Sequence, residues 1–422
     1  MKFKKFVLLL LLIGLVLSDW FVIQFGINNQ TYLMIPFFIY ATINFKLTPN
    51  KILKLFFILY SLIIAIAGAY SNADQGVIFY RIFGNLLIAI IISNPRVMRG
   101  HFVAYTIFLF SIICLVVLVV PFYLNLYDFS AGRATLMGHN QNNLSHLLNA
   151  GLIAALFSVD KVVNKNTNKG KLSFIRKYSY LLFIPPIVAT ISRTGLLALA
   201  VTLITYLFLK KGKSIFKFIV YSLVLVLFSG LAIRTFSSRI FGIFIDRFQE
   251  ASDDPRKDLA INAWKQVLEH PWLGVGFENF NSTSWRLAHN IVIVKPDQTD
   301  IMDASVHNGF IDLGLLGGIP LMLSFIFILS YYFFKSIKML LSLDANIKSS
   351  GFFIFCAMQL TLLFVLTGQA NLHKITWFYF GIIPPLMNYA LTLSTYQKNN
   401  QLQNIPKLRG SNVEISHGSY FT

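Results

Sequence analysis

Arg193, Arg256 and His307 are the residues whose types and settings suit chemistry on a phosphorylated ligand. Arg193 lies in residues 189–195 (ATISRTG), a very short link between two apolar runs. A cation so close to hydrocarbon costs on the order of 3 kcal/mol unless paired or hydrated, which makes it a functional candidate by default. The alternative is an arginine snorkelling to headgroups. Asp254-Pro255 reads as a helix start, with Asp as N-cap and Pro at the first helical position. Arg256 then falls in the first turn, where free N–H groups add to its attraction for an anion; otherwise it is a solvated helix residue. His307 stands where an apolar run begins. An imidazole with its ordinary pKa of ~6.5 exchanges protons near neutral pH, although a lone interfacial His also serves structural ends. Asp303, four residues earlier, would orient that imidazole if the stretch is already helical, and Asn308 follows it directly.

Other polar groups are less specific. Asp297, Asp300 and Asp303 repeat every three residues. They suit a divalent cation or, more simply, a solvated acidic loop, and two arginines would already supply the countercharge, so no metal is expected. His139-Asn140 and Asn142-Asn143 suit sugar hydroxyls or ordinary loop composition equally. Arg81 falls inside an apolar run, where it lines a cavity or finds a structural partner. Gly314 and Gly318, four apart, suit close helix packing rather than chemistry.

What must position these side chains is a membrane. Of 422 residues, 56% are hydrophobic and 13% charged, with a mean hydropathy of +0.65; an average soluble protein carries about 25% charged residues. A soluble domain could not keep so much apolar surface from water, and disorder fails for the same reason. Two cysteines in apolar runs, Cys114 and Cys356, read as small buried hydrophobes, not a disulfide framework. A bilayer core of ~30 Å takes about 20 apolar residues per helix. Twelve candidate spans follow: 6–23, 31–45, 52–69, 77–92, 102–123, 144–159, 178–191, 195–209, 215–233, 308–334, 352–367 and 375–394. The second, seventh and eighth are short.

Charge supports the count. With the N-terminus cytoplasmic, the inner segments hold 24 of the 36 Lys and Arg, whereas the five short outer loops hold only Arg133, Arg193 and Lys374. Much of the net charge of +19 is therefore a topology signal. It suits anionic lipid headgroups and does not argue for nucleic acid. The MKFKK start imitates a signal peptide, but Ser18-Asp19-Trp20 is a poor cleavage site, so the first span is read as retained. The fold expected is an all-α polytopic integral membrane protein with both termini cytoplasmic. Residues 1–233 hold helices one to nine, 234–307 a large periplasmic or extracellular loop, 308–394 helices ten to twelve, and 395–422 a cytoplasmic tail.

The long loop, like the smaller one at 124–143, carries structure signals. Residues 256–270 place Ala260, Trp264, Val267 and Leu268 on one face, as in a helix lying on a membrane surface or on the protein's own outer face. His270-Pro271 ends it, and LGVGFENF reads as a glycine-bearing loop. Inside, 20 of 24 cations are Lys; outside, Arg133, Arg193, Arg234, Arg239, Arg247, Arg256 and Arg286 are 7 of 11. Guanidinium binds phosphate bidentately where Lys offers a point charge. An anionic, phosphate-bearing substrate at the outer surface would explain this. So would a solvated loop whose arginines pair with Asp246, Glu250, Asp253, Asp254 and Asp258.

The same segments carry a family resemblance. Ser192-Arg193-Thr194 before an apolar run resembles the Ser-Arg-Ser/Thr element of the O-antigen ligase and polymerase superfamily. Arg256, Trp264 and Pro271-x-x-Gly274-x-Gly276 resemble its second element, and His307-Asn308 followed by Gly314-Leu315-Leu316-Gly317 its third. These motifs cover about 190–320. The resemblance implies a GT-C-like membrane glycosyltransferase of the bacterial cytoplasmic membrane, working at its outer face in O-antigen, capsule or exopolysaccharide synthesis. Its donor would be a glycan on a polyprenyl (undecaprenyl-type) diphosphate, and its acceptor a lipid A–core, another glycan or a lipid-linked repeat unit. It implies no cofactor and no ATP, with Arg193 and Arg256 as the essential, diphosphate-binding arginines and His307 as the outer-face histidine. The rival class is a lipid-linked oligosaccharide flippase. That would carry ionisable groups along several spans, short loops on both faces and internal repeats.

Overall fold

The computed structural model describes residues 2–17, 30–46, 50–69, 76–130, 133–136, 141–159, 179–211, 256–291, 293–294, 301–303, 308–367 and 374–403. The apolar runs form helices because hydrocarbon requires every backbone N–H and C=O to be satisfied within the segment. In chain order they are α1 (Lys2–Val16), α2 (Gln30–Ile43), α3 (Lys51–Ala69), α4 (Gly76–Ile92) and α5 (His101–Tyr123). After a short hairpin, β1 (Asp128–Ser130) with β2 (Arg133–Thr135), come α6 (Gln141–Val159), a 3-10 turn at Ser179–Phe183, α7 (Ile184–Ala189) and α8 (Arg193–Lys211). Then follow α9 (Arg256–Glu269), α10 (Gly276–Asn281), α11 (Thr283–Ala288), a ribbon of β3 (Ile293–Val294) with β4 (Ile301–Asp303), α12 (Gly309–Leu340), α13 (Ala345–Thr367) and α14 (Lys374–Gln403).

Helices stand at eleven of the twelve expected span positions; the ninth, 215–233, lies outside the described residues. Among the described residues three are long and apolar enough to cross a membrane: His101–Tyr123, Gly309–Leu340 and Ala345–Leu366. Ser179–Ala189 and Arg193–Leu209 are shorter apolar helices, as their sequences suggest. The architecture fits an all-α, multi-pass membrane protein. Arg81 lies within α4. Cys114 and Cys356 are free and buried.

The bundle is held by large apolar side chains. Tyr60 of α3 meets Trp377 of α14 edge-on with centroids 5.1 Å apart, and Phe325 of α12 meets Phe380 of α14 at 5.5 Å. Such rings bury roughly 150–250 Å² each. α12 and α13 form an antiparallel hairpin, Phe333 against Phe355, and α13 also packs on α6 and α8.

α12 is not one straight rod. Gly317 (φ −143°) and Gly318 (φ 74°, ψ −176°) leave helical geometry, and Pro320 follows. Proline lacks the N–H that would bridge this break. The part beyond it, Ile319–Leu340, measures about 33 Å at 1.5 Å per residue, enough for a bilayer core by itself. It runs past the expected end at 334 because Met339 and Leu340 continue the buried face.

Candidate functional site

Two pieces of local structure carry the residues singled out by sequence. The first joins the starts of α6 and α8. α7 ends in a turn, Thr190-Ile191-Ser192, in which Ile191 has φ 48°. A β-branched residue in the left-handed region is strained, and such strain persists only where surrounding contacts hold it. Ser192, 1% exposed, supplies one: its hydroxyl accepts from the Gly195 N–H (3.2 Å) and donates to Asn142 Oδ1 (2.9 Å). Serine is favoured here because it satisfies a first-turn donor that has no intrahelical partner. Gly195 has no side chain because a Cβ would sit 1.6 Å from Ser145 Oγ. Asn149 Nδ2 donates to Gly195 O (3.1 Å) across the same contact. Arg193 is the first residue of α8 and half-buried.

The second piece is α9, its following loop and the start of α12. Arg256 is the first residue of α9, so the helix begins where Asp254-Pro255 places it. The docked face is Leu259, Ala263, Gln266 and Val267, all buried, whereas Trp264 (37%) and Leu268 (55%) are exposed. The expected face of Ala260, Trp264, Val267 and Leu268 is therefore rotated. Val267, common to both faces, sits against Gly314 of α12, whose missing side chain admits it: a Cβ there would lie 3.0 Å from Val267 Cγ2. At ~100° per residue α9 has three sectors of about a third of a turn each. One is packed on α12, one is polar (Asp258, Asn262, Lys265, Glu269), and one is exposed and apolar (Ile261, Trp264, Leu268).

The loop after α9 is locked into the α12 break. Val275 N donates to Leu315 O and Ile319 N to Pro271 O, both at 2.7 Å. Gly274 (φ 68°) and Gly318 are the touching surfaces: a Cβ on Gly274 would lie 2.2 Å from Leu315 O, and one on Gly318 2.6 Å from Pro271 O. Gly318 thus serves a backbone junction, not packing between spans, while Gly314 does provide close packing, against α9. The Pro-x-x-Gly-x-Gly and Gly-Leu-Leu-Gly segments are two halves of one junction.

The bundle brings the two pieces to one end. His146 of α6 stacks on Phe364 near the close of α13 (4.4 Å, 14°). α13 runs antiparallel to α12, so the end of α13, the starts of α6 and α8, and the start of α12 lie toward the same end of the bundle. Arg193 and Arg256 each open a helix, where the dipole disfavours a cation. That placement is poor for folding and good for an anion, which would meet guanidinium and free N–H groups together.

Other candidates fall variously. Asn308 Oδ1 accepts from Phe310 N (3.1 Å) and Ile311 N (3.3 Å), so Asn308 caps α12 one residue after His307. His307 and His139-Asn140 lie outside the described residues, as do Asp297 and Asp300. Asp303 is not helical: it ends β4, paired with Ile293, because the β-branched pair at 293–294 recruits 301–303 into a ribbon. Any orientation of His307 by Asp303 falls on residues outside those described. No group of three His, Cys, Asp or Glu able to hold a metal occurs among the described residues. Arg286, 4% exposed, donates from Nε to Phe280 O (2.7 Å) and covers the Phe280 ring, so this arginine braces α10 against α11. Tyr127, whose phenol burial pushes its pKa up, donates to Leu118 O and ties the hairpin strand to α5.

Sequence reading missed Asp312 and the polar face of α6. Asp312, an acid inside the run GFIDLGLLGG, is 1% exposed in the first turn of α12, where the helix dipole favours a carboxylate. Ser145, His146 and Asn149 are buried polar residues in an expected span. Both signals were visible as polar letters in apolar runs.

Residues 179–326 match the family model described as O-antigen ligase. The matched stretch begins at the 3-10 turn before α7, contains Arg193, Arg256, His307, Asn308 and the α9–α12 junction, and ends within α12. It supports the resemblance to the O-antigen ligase and polymerase superfamily read from about 190–320. A comparison with curated proteins found no match.

Proposed function

We propose, with membership of the O-antigen ligase and polymerase superfamily as the premise, that this protein is a membrane glycosyltransferase. It moves a glycan from a polyprenyl diphosphate to an acceptor hydroxyl at the outer face of a bacterial cytoplasmic membrane, in surface polysaccharide synthesis. The observation that supports the reading is that Arg193 and Arg256 each open a helix inside the segment that matches the family.

In this mechanism the acceptor oxygen attacks the anomeric carbon and the bond to the diphosphate breaks. Arg193 and Arg256 meet the negative charge that grows on the departing diphosphate. They lower the barrier to the extent that they hold it more tightly in the transition state than in the donor. His307 takes the proton from the attacking hydroxyl, help typically worth about 10²–10⁴-fold. The donor's own diphosphate ester supplies the driving force, so neither ATP nor a metal is required. Asn308, by capping α12, fixes the backbone beside His307. On this reading the chain crosses the membrane twelve times, with these residues outside and both termini in the cytoplasm, as the Lys and Arg distribution favours. The exposed apolar sector of α9 then rests in the outer-leaflet interface, with Trp264 and nearby Trp272 as aromatic anchors.

The test is transfer by purified, reconstituted protein supplied with a lipid-linked donor. Arg256→Ala and His307→Ala should each cut transfer by about 10²-fold or more while the proteins still insert and fold. Full transfer by both would overturn the assignment. Chains that lengthen on donor alone identify a polymerase; transfer only on addition of a separate acceptor identifies a ligase.

A further inference from the structure

We infer that Asn142, in the first turn of α6, is a positioning residue for Arg193. The inference deepens the proposed function and rests on it. The guanidinium of Arg193 goes where α8 points, and α8 leaves the strained turn at Ile191. Three contacts set that direction. Thr190 Oγ1 receives the Ser192 N–H at 3.4 Å and itself donates to Ile187 O at 2.7 Å. The Ser192 hydroxyl caps Gly195 N, and its proton goes to Asn142 Oδ1. Asn149 Nδ2 bridges Ser145 O (2.8 Å) and Gly195 O (3.1 Å).

Residues 142, 145 and 149 lie on one face of α6 at i, i+3 and i+7. That face therefore grips the cap, the first turn and the first-turn carbonyl of α8. Further along the same face of α8, Gln359 of α13 reaches Ala198 O and Thr202 Oγ1, at i+3 and i+7 from Gly195. Arg193 thus starts a helix that two neighbours hold along one face.

Asn142 differs from the rest of the clamp in being exposed, whereas Ser145, Asn149 and Ser192 are buried. Replacing a buried member damages packing. Replacing Asn142 leaves the packing and frees one bond: the Ser192 hydroxyl loses its acceptor and turns to compete elsewhere, so the cap is held by Gly195 alone. A hydroxyl that rotates away from the cap shifts the first turn, and with it Arg193. Because Arg193 acts on the departing diphosphate, the loss falls on kcat more than on KM.

The experiment is a double-mutant cycle in reconstituted glycan transfer with Asn142→Leu, Arg193→Ala and the double variant, with Asn142→Ala as a second probe of the same contact. Thermal unfolding is measured on each. Asn142→Leu is expected to lower kcat about tenfold, the scale of one lost neutral hydrogen bond, with KM nearly unchanged. It should have no further effect once Arg193 is Ala. Equal losses in both backgrounds, or wild-type kcat in Asn142→Leu and Asn142→Ala, would overturn the positioning role. Wild-type transfer by Arg193→Ala would overturn the proposed function instead, so the two failures are distinct.

Discussion

Gly318→Ala tests the junction that makes α9, its loop and α12 one unit. Gly318 has φ 74° and ψ −176°, a region that only glycine occupies readily; another residue there costs about 1–3 kcal/mol. The new Cβ would also lie 2.5 Å from Trp272 C and 2.6 Å from Pro271 O. Those are backbone atoms, so no side chain can swing aside; the loop must move. Moving it lengthens the 2.7 Å bonds from Ile319 N to Pro271 O and from Val275 N to Leu315 O, each worth about 1 kcal/mol. The total is about 3–5 kcal/mol, concentrated where α9 docks. The expected result is a lower thermal midpoint in detergent and faster proteolytic nicking near residues 270–276. Gly84→Ala is the matched control, since no atom lies within 4 Å of its would-be Cβ, and it should be neutral or slightly stabilising. A Gly318→Ala protein with the midpoint and nicking rate of the control would refute the reasoning.

Gly195→Ala should force α6 and α8 apart, because its Cβ falls 1.6 Å from Ser145 Oγ and 2.8 Å from Ser145 Cβ. Adding Ser145→Gly removes both obstacles and should restore most of the lost thermal midpoint; no restoration would show that the clash is not the cause. Trp264 and Trp272, exposed at 37% and 76%, should be quenched by brominated lipid in reconstituted vesicles more than the fully buried Trp377, and their fluorescence in single-Trp variants decides it. Cys114 and Cys356, both at 0% exposure, should resist maleimide in the folded protein and label fully in sodium dodecyl sulfate. Labelling at equal rates in both would contradict the packing of α5 and α13.

The helices were legible in the letters because hydrocarbon leaves little choice: an apolar run without a partner strand must satisfy its backbone internally. The start of α9 was legible for a local reason as well, since Asp254-Pro255 acts through the adjacent backbone alone. Its docked face was not. The α9 sequence has two apolar sectors, and contact with α12, where Val267 sits against Gly314, buries Leu259, Ala263 and Val267 and leaves Trp264 and Leu268 exposed. Asp303 shows the same limit, because a three-residue strand depends on a partner ten residues away.

By itself, then, the sequence determined a helical membrane protein with Arg193 in a short link between apolar runs, Arg256 in the first turn of a helix and Asn308 where a span begins. These are properties of composition, spacing and nearest neighbours along the chain. The tertiary structure decided that the loop glycines and the α12 glycines form a single junction and that Asn142 holds the cap of Arg193 from fifty residues away. It also decided that the Arg193 turn and the α9 platform share one end of the bundle. Each of these depends on contacts between segments far apart in sequence, whose geometry follows from which side chains are missing, at Gly195, Gly274, Gly314 and Gly318, as much as from those present.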